Sequence, residues 1–545
     1  MDVQRIILIG ALCLISYMLV LQWNQDYGQQ PEAQQVTTSV SAYQSEPVGS
    51  DLPAAEESAQ TGDLPATAAQ AKQASLVDIK TDVLNVTIDT KGGDIIQVSL
   101  PEYKATLGSE LPFVLLEQTV NRTYVSQSGL VGKNGPDANP NGRPTYSVNQ
   151  TEFTLADQEK ISVDLTYTDE KGVQVTKRYT FSKGSYEIGL EFIVNNQSTE
   201  SWTANLFGQI KRDRSEDPTS STEMGMQSYL GPVFSTLENN YQKYDFDDID
   251  DKQFKETSKD GWVAMSQHYF LSAWIPEKGA EYNYQTRKLN GNYIAGFLSP
   301  DFTVAAGESK TVTANFFAGP KDQDTMEIAD ENLKLTVDYG VLWWIASPLY
   351  MLLKWIHDLV GNWGLAIIGI TIIVKAALFQ LNAKAFKSMA KMRKFGPEMT
   401  RLKELYGDDR QKMSSEMMKL YQKEKINPLG GCLPIVAQMP IFIALYWVLM
   451  ESVDLRHAEF LYLADLSVKD PYFILPIIMG VSMFIQQMLN PTPPDPMQAK
   501  IMKMLPIMFT FFFLWFPAGL TLYWVVNNIL SIAQQYLINK QIEKE

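Results

Sequence analysis

"MLPIMFTFFFLWFPAGLTLYWVVNNILSIAQQYLI", residues 504–538, is one almost unbroken apolar run. An uninterrupted helix of that length, at about 1.5 Å per residue, would reach some 50 Å, whereas the hydrocarbon core of a bilayer is about 30 Å thick. Phe516-Pro517-Ala518-Gly519 near its middle supplies the break, because proline cannot continue a helix and glycine favours a turn. The run therefore reads as two spans, 503–517 and 519–538. Working outward, further apolar runs of span length lie at 361–382, 429–450 and 471–489, and a last one, "RIILIGALCLISYMLVLQW", at 5–23. That first run is longer than the apolar region of a signal peptide, and no small-residue cleavage site follows it, so 1–23 reads as an uncleaved anchor. Six spans result.

Charge orients them. Residues 383–428 carry 12 Lys+Arg against 6 Asp+Glu, while 451–470 carry 2 against 5. By the positive-inside rule the first segment is cytoplasmic and the second lies outside. Alternation places both termini in the cytoplasm, including the tail 539–545, along with the short loop 490–502. The segment 24–340 falls outside. It holds 25 Lys+Arg and 46 Asp+Glu, which more than accounts for the chain's net charge of −16. An acidic balance argues against a general nucleic-acid binder. Cys13 and Cys432 both lie in apolar stretches far apart in sequence, which argues against a structural disulfide.

Within the outside segment, 24–79 is rich in Gln, Ala, Ser, Thr, Glu and Pro and reads as a flexible tether. From 80 to 335 the pattern has period two: in "YEIGLEFIV" (186–194) Tyr186, Ile188, Leu190, Phe192 and Val194 share one face. "ISVDLTY" (161–167) and "TVTANFF" (311–317) behave alike, with Gly, Asn and Pro between runs, the signature of an antiparallel β-sandwich. Only His268 of the three histidines falls there, and no HExxH, GxSxG, Walker A or Cys/His cluster occurs. Carboxylate chemistry is the remaining enzymatic option for this part of the chain.

Segment 341–360, with Trp343, Trp344 and Trp355 beside Lys354, His357 and Asp358, suits a helix lying in the membrane interface. The cytoplasmic segment 383–428 reads as two helical arms turning at Gly407-Asp408-Asp409, with Pro397 in a first turn after Gly396. Its apolar side is methionine-rich: Met389, Met392, Met399, Met413, Met417 and Met418. Methionine is common on surfaces that accept varied apolar partners, so the hairpin is a candidate docking surface. Packing of the hairpin on itself or on lipid headgroups is the alternative.

Lys375 stands inside an apolar span, in "GITIIVKAALFQL" (369–381). A cation at a bilayer centre costs roughly 2.5–3.5 kcal/mol on insertion scales and marks a functional site by default. Position 375 is about 9 Å from the inner end of its span and about 18 Å from the outer end, so snorkelling to headgroups is one reading. A wet cavity shared with Thr371, Gln438, Gln486, Gln487, Thr510, Asn527 and Asn528 is the other. A secondary transporter would show midplane carboxylates, and no acidic residue lies inside a span.

Several motifs in a fixed order go further. "MAKMRKFGPEMTRLKELYGDD" (389–409) leads to "EMMKLYQKEKINPLGGCLPIVAQMPIFIALYWVLM" (416–450), then "DPYFILPIIMGVSMFIQQ" (470–487). "DPMQAKIMKMLPIMFTFFFLWFPAGLTLYWVVNN" (495–528) and "IAQQYLI" (532–538) follow. Together, over about 341–541, they resemble the YidC family of bacterial membrane-protein insertases. The resemblance implies a core bundle of five helices, which with the first anchor makes a polytopic α-helical membrane bundle of six spans, plus a periplasmic antiparallel β-supersandwich, the type found in bacteria with two membranes. The sandwich resembles sugar-mutarotase folds, but one histidine cannot supply their catalytic pair. A cytoplasm-open hydrophilic groove is implied, with its signature charge, usually arginine, at Lys375. The implied groove residues are Lys375, Thr371, Gln438, Asn527 and Asn528, and the implied substrate slide is Tyr523, Trp524, Phe442 and Met439. The implied activity is non-enzymatic and needs no cofactor or metal. Its expected partners are nascent membrane proteins, the Sec translocon, the ribosome transiently, and membrane lipids, with no direct nucleic-acid recognition.

Overall fold

The computed structural model describes residues 52–53, 75–140, 142–219, 228–406, 409–424, 433–490 and 496–542. The expected anchor 1–23, most of the tether 24–79, the turn residues Gly407 and Asp408, and Cys432 lie outside the described residues. Residues 49–545 form one compact unit.

Period-two alternation becomes two facing sheets. Among the described residues one has ten strands and the other eight, and every strand pairing is antiparallel except that of Leu76–Lys80 with Glu152–Thr154. In the ten-stranded sheet Trp202–Arg212 pairs with both Thr123–Val131 and Asn292–Val304. In the other, Ser309–Pro320 lies between Glu187–Asn196 and Phe270–Pro276. Ile188, Leu190, Phe192 and Val194 are buried, as their spacing predicts. The sheets meet through Trp274, whose ring lies 6.3 Å from Phe297 and whose Nε1 donates to Gln209 O across the sandwich at 3.3 Å. Gly208 makes room for this contact: a Cβ there would come within 2.8 Å of the Trp274 ring. The domain begins earlier than its composition suggests. Leu76–Lys80 is already a strand, because Val77 and Ile79 are fully buried, so the boundary moves from 80 to 76. Two short helices complete this half, α1 (Phe246–Asp251) and α2 (Gln323–Ala329), with Asp245 and Asp322 accepting from their first-turn N–H groups.

The remaining helices are α3 (Trp343–Val360), α4 (Trp363–Ala377), α5 (Phe379–Lys394), α6 (Gly396–Tyr406) and α7 (Arg410–Lys423). After them come α8 (Leu433–Glu451), α9 (Ile474–Leu489), α10 (Pro496–Phe512) and α11 (Ala518–Ile542). Each expected span within the described residues contains a helix. No single helix among the described residues is long and apolar enough to cross a membrane, and α4 with α5 passes that test only as a pair bent by 66°. The 15 residues of α4 and 16 of α9 rise about 22–24 Å.

Three boundaries differ from expectation. The run 361–382 is not one helix: it breaks at Leu378, where no proline or glycine stands. The bend follows α11, whose Gln534 amide donates to Phe379 O at 3.0 Å while Phe386, Met389 and Ala390 pack on Ile538 and Ile542. The run 503–517 is a helix from 496 to 512, then a 3-10 turn at Phe513–Trp515. The final helix continues to Ile542, past 538.

The sandwich is joined to the bundle by buried polar contacts. Lys321 Nζ lies 3.0 Å from Glu451 Oε2 at the end of α8, and Ser228 Oγ donates to Glu451 Oε1 at 3.0 Å. His268 Nε2 bonds Met450 O at 2.9 Å. Arg456 donates to Ala105 O at 2.9 Å and lies over the Phe113 and Phe270 rings. Tyr350 of α3 donates to Asp454 at 3.0 Å; burial, then the nearby Asp322 carboxylate, hold the Asp454 carboxyl above its ordinary range.

Candidate functional site

Lys375 lies one turn before the bend in α4 and is 9 % exposed. Its ammonium donates to Ser531 Oγ of α11 at 2.7 Å and to Gln438 Oε1 of α8 at 3.4 Å. The Gln438 amide donates in turn to Asn527 Oδ1 and, at 3.2 Å, to Tyr523 Oη. Ser531 Oγ is fixed from behind by Asn527 O at 2.7 Å. Three helices thus contribute to one polar seam inside an otherwise apolar bundle. No carboxylate lies within ion-pair distance of Lys375 among the described residues. That is an unusual state for a buried cation, which ordinarily has an ionic partner.

A second branch runs beside the first. Asn528 donates to Ser482 Oγ of α9 at 3.0 Å, and Gln535 donates to Asn490 at 2.9 Å. Thr371 is buried one turn from Lys375, but its hydroxyl bonds Ile367 O of its own helix at 2.6 Å, so it lines the seam without joining the network. Lys375, Gln438 and Asn527 are therefore brought together, and Asn528 lies on the neighbouring branch. Ser531, Ser482, Gln534 and Gln535 carry contacts that residue type alone did not single out. The register could have found two of them: Tyr523, Asn527, Ser531 and Gln535 recur every fourth residue along α11.

The slide residues divide. Phe442 lies 5.0 Å from Trp524 and 6.3 Å from Tyr523, ring to ring, and Met439 is exposed. Tyr523 is buried with its hydroxyl in the seam, so in this conformation it is a polar lining residue and offers no sliding surface. The hairpin methionines divide as well. Met389 is buried on α11, and Met399 is buried within the hairpin, where Tyr421 Oη bonds its sulfur at 3.6 Å. Neither offers surface to a partner in this conformation. Met392, Met413 and Met417 are half-buried, and Met418 is exposed. Among the described residues no group of His, Cys, Asp and Glu could hold a metal ion.

Residues 76–352 match the family model for the YidC periplasmic domain, and 355–545 match that of the 60Kd inner membrane protein. A membrane protein insertase YidC from Marinomonas sp. is 54% identical over the whole of both chains. One from Stutzerimonas stutzeri is 52% identical over all of this chain and 99% of its own. The chain belongs to the YidC family of membrane protein insertases. Its β-sandwich is the family's periplasmic domain, and its helical half is the inner-membrane part. A crystal structure of an active YidC insertase, 18% identical, aligns over 86% of this chain and 93% of its own with a TM-score of 0.38.

Proposed function

We propose that the seam around Lys375 is the groove through which this insertase passes the hydrophilic flank of a nascent membrane protein. The observation that carries the reading is a buried ammonium with two hydrogen-bond acceptors and no carboxylate partner among the described residues. Lysine has three donors, so one N–H is left for an acidic or carbonyl group of a client. The seam offers that flank hydrogen bonds in place of hydrocarbon, where an unsatisfied polar group costs several kcal/mol. The client's apolar segment leaves past Met439, Phe442 and Trp524 into lipid, driven by burial of apolar surface.

In this reading α4, α8, α9, α10 and α11 lie in the inner membrane, the segment 1–23 anchors the chain, and both termini are cytoplasmic. The exposed face of α3, with Trp344, Met351, Trp355 and Leu359, rests on the membrane surface. The hairpin α6–α7 meets clients through Met392, Met413, Met417 and Met418. The Sec translocon and, transiently, the ribosome are partners on the same argument of handing over a nascent chain.

The test is accessibility. A Lys375→Cys variant with Cys13 and Cys432 replaced is expected to react with a membrane-impermeant thiol reagent in inverted vesicles and to stay unlabelled in right-side-out ones. Labelling from both sides would mean a pore, and labelling from neither would mean a seam closed to water, which overturns the groove reading.

A further inference from the structure

The loop between α8 and α9 has no part in the groove, yet its backbone is strained. Among the described residues, three of the five non-glycine residues with positive φ fall there: His457 (φ 61°), Leu461 (φ 55°) and Phe473 (φ 57°). Bulky side chains avoid this region, and such conformations persist only where the surroundings over-determine them. Here they do. Asn362, just before α4, donates to Glu459 O at 3.0 Å, and Phe460 and Leu463 exchange backbone bonds of 2.8 and 2.9 Å. The buried Asp470 carboxylate accepts from Tyr462 Oη and from Leu475 N, both at 2.7 Å. Val468 O and Leu466 O accept from Ala518 N and Gly519 N at the start of α11, at 2.7 and 2.9 Å. Phe460 lies so close on Gly364 that a Cβ there would meet its ring at 2.2 Å.

The loop is therefore a rigid frame bound to the first residues of α4, α9 and α11. Leu463 and Leu466 fill its inner side. What it holds outward is largely apolar, beside the exposed Glu459 and half-exposed Lys469: Leu461 is 86 % exposed, Tyr472 67 % and Phe473 40 %. Tyr462 lies 6.1 Å from Tyr472, ring to ring, and Tyr472 and Phe473 run directly in sequence into the exposed Ile474, Ile477, Ile478 and Val481 of α9. A partner protein or a second copy would not need the rim to be continuous with an apolar helix face. A bilayer interface does, and tyrosine with aliphatic neighbours is its usual composition.

We propose that residues 459–473 form an interfacial anchor, seating Leu461, Tyr472 and Phe473 in the leaflet that faces the β-sandwich and so setting the depth of α4, α9 and α11. The proposal rests on the reading that α9 lies in the membrane, and the test separates the two. Single cysteines from Leu461→Cys, Tyr472→Cys and Ile478→Cys, with Cys13 and Cys432 replaced, are labelled with an environment-sensitive fluorophore. The full chain is then reconstituted in vesicles containing lipids brominated either near the headgroup or near the chain end. Labels at 461 and 472 are expected to lose emission chiefly with the shallow quencher, and the label at 478 chiefly with the deeper one. Quenching at 478 alone overturns the anchor and leaves the span. Quenching at none of the three removes the span reading as well. Emission at 461 that changes with protein density at fixed lipid composition would assign the rim to a second copy and overturn the proposal.

Discussion

Removing Lys321 should loosen the joint between the sandwich and α8. The side chains of Lys321 and Glu451 are 2 % and 5 % exposed and 3.0 Å apart. Glu451 ends α8, where the helix dipole opposes a carboxylate; Lys321 and the Ser228 hydroxyl offset that. Deleting one partner of a buried pair leaves an uncompensated charge and costs about 3–5 kcal/mol. Replacing both with apolar side chains of similar volume is often close to neutral. Lys321→Met is therefore expected to destabilise the folded chain by ~4 kcal/mol. The Tm shift is about 2–4 °C per kcal/mol for 150–250 residues and smaller for a unit as long as 49–545, so a loss of several degrees in Tm is expected. Adding Glu451→Leu to Lys321→Met should restore most of it. The assay is a double-mutant cycle by thermal unfolding in micelles, following tryptophan emission. A loss in the double variant equal to the sum of the losses in Lys321→Met and Glu451→Leu alone would show that the pair contributes no coupling, and the joint would then rest on His268 and Arg456.

Lys177 is buried at the carbonyls of Gly92 and Ser128, and burial pushes its ammonium down to about 7. Between that value and the unfolded pKa of about 10.4 the unfolded chain holds a proton the folded one has shed. Stability should therefore rise with pH in this window, by up to about 1.4 kcal/mol per unit. Denaturant titrations from pH 7 to 10 should show the slope and Lys177→Met should lose it, since Arg143 still donates to both carbonyls; a flat wild-type profile would refute it. Lys375→Arg should support insertion, whereas Lys375→Glu should impair clients with acidic translocated tails, read by protease protection at matched expression; equal insertion would remove the electrostatic role. Deleting 398–424 should abolish insertion while leaving thermal unfolding of the bundle intact, because Phe386 and Met389 pack on α11 outside the deleted segment. Retained insertion would make the hairpin a connector.

Much of the fold is written locally. Alternation at 186–194 and the proline at 517 act within a few residues, so strand faces and the break between the last two helices follow from sequence alone. What did not follow depends on distant partners. The bend at Leu378 has no local breaker and is produced by Gln534 and the packing of α5 on α11. The early start of the sandwich depends on Val77 and Ile79 finding neighbours in other strands, for which the composition of 24–79 gives no warning.

The site shows the same division at finer scale. An isolated cation in an apolar run is conspicuous, so Lys375 was legible. Its nearest partner was not, because serine in a helix is commonplace and usually bonds its own preceding turn. Ser531 does so too, donating to Asn527 O, and this leaves its oxygen lone pairs aimed at Lys375. That arrangement suits a point charge. A guanidinium has five donors in a rigid fork and seeks a planar acceptor pair, whereas one hydroxyl and one amide oxygen satisfy two N–H groups of an ammonium and leave its third. A lysine in this seam therefore keeps positive charge and one free donor in a compact space. Those are the two properties that the proposed reception of an acidic client flank calls for.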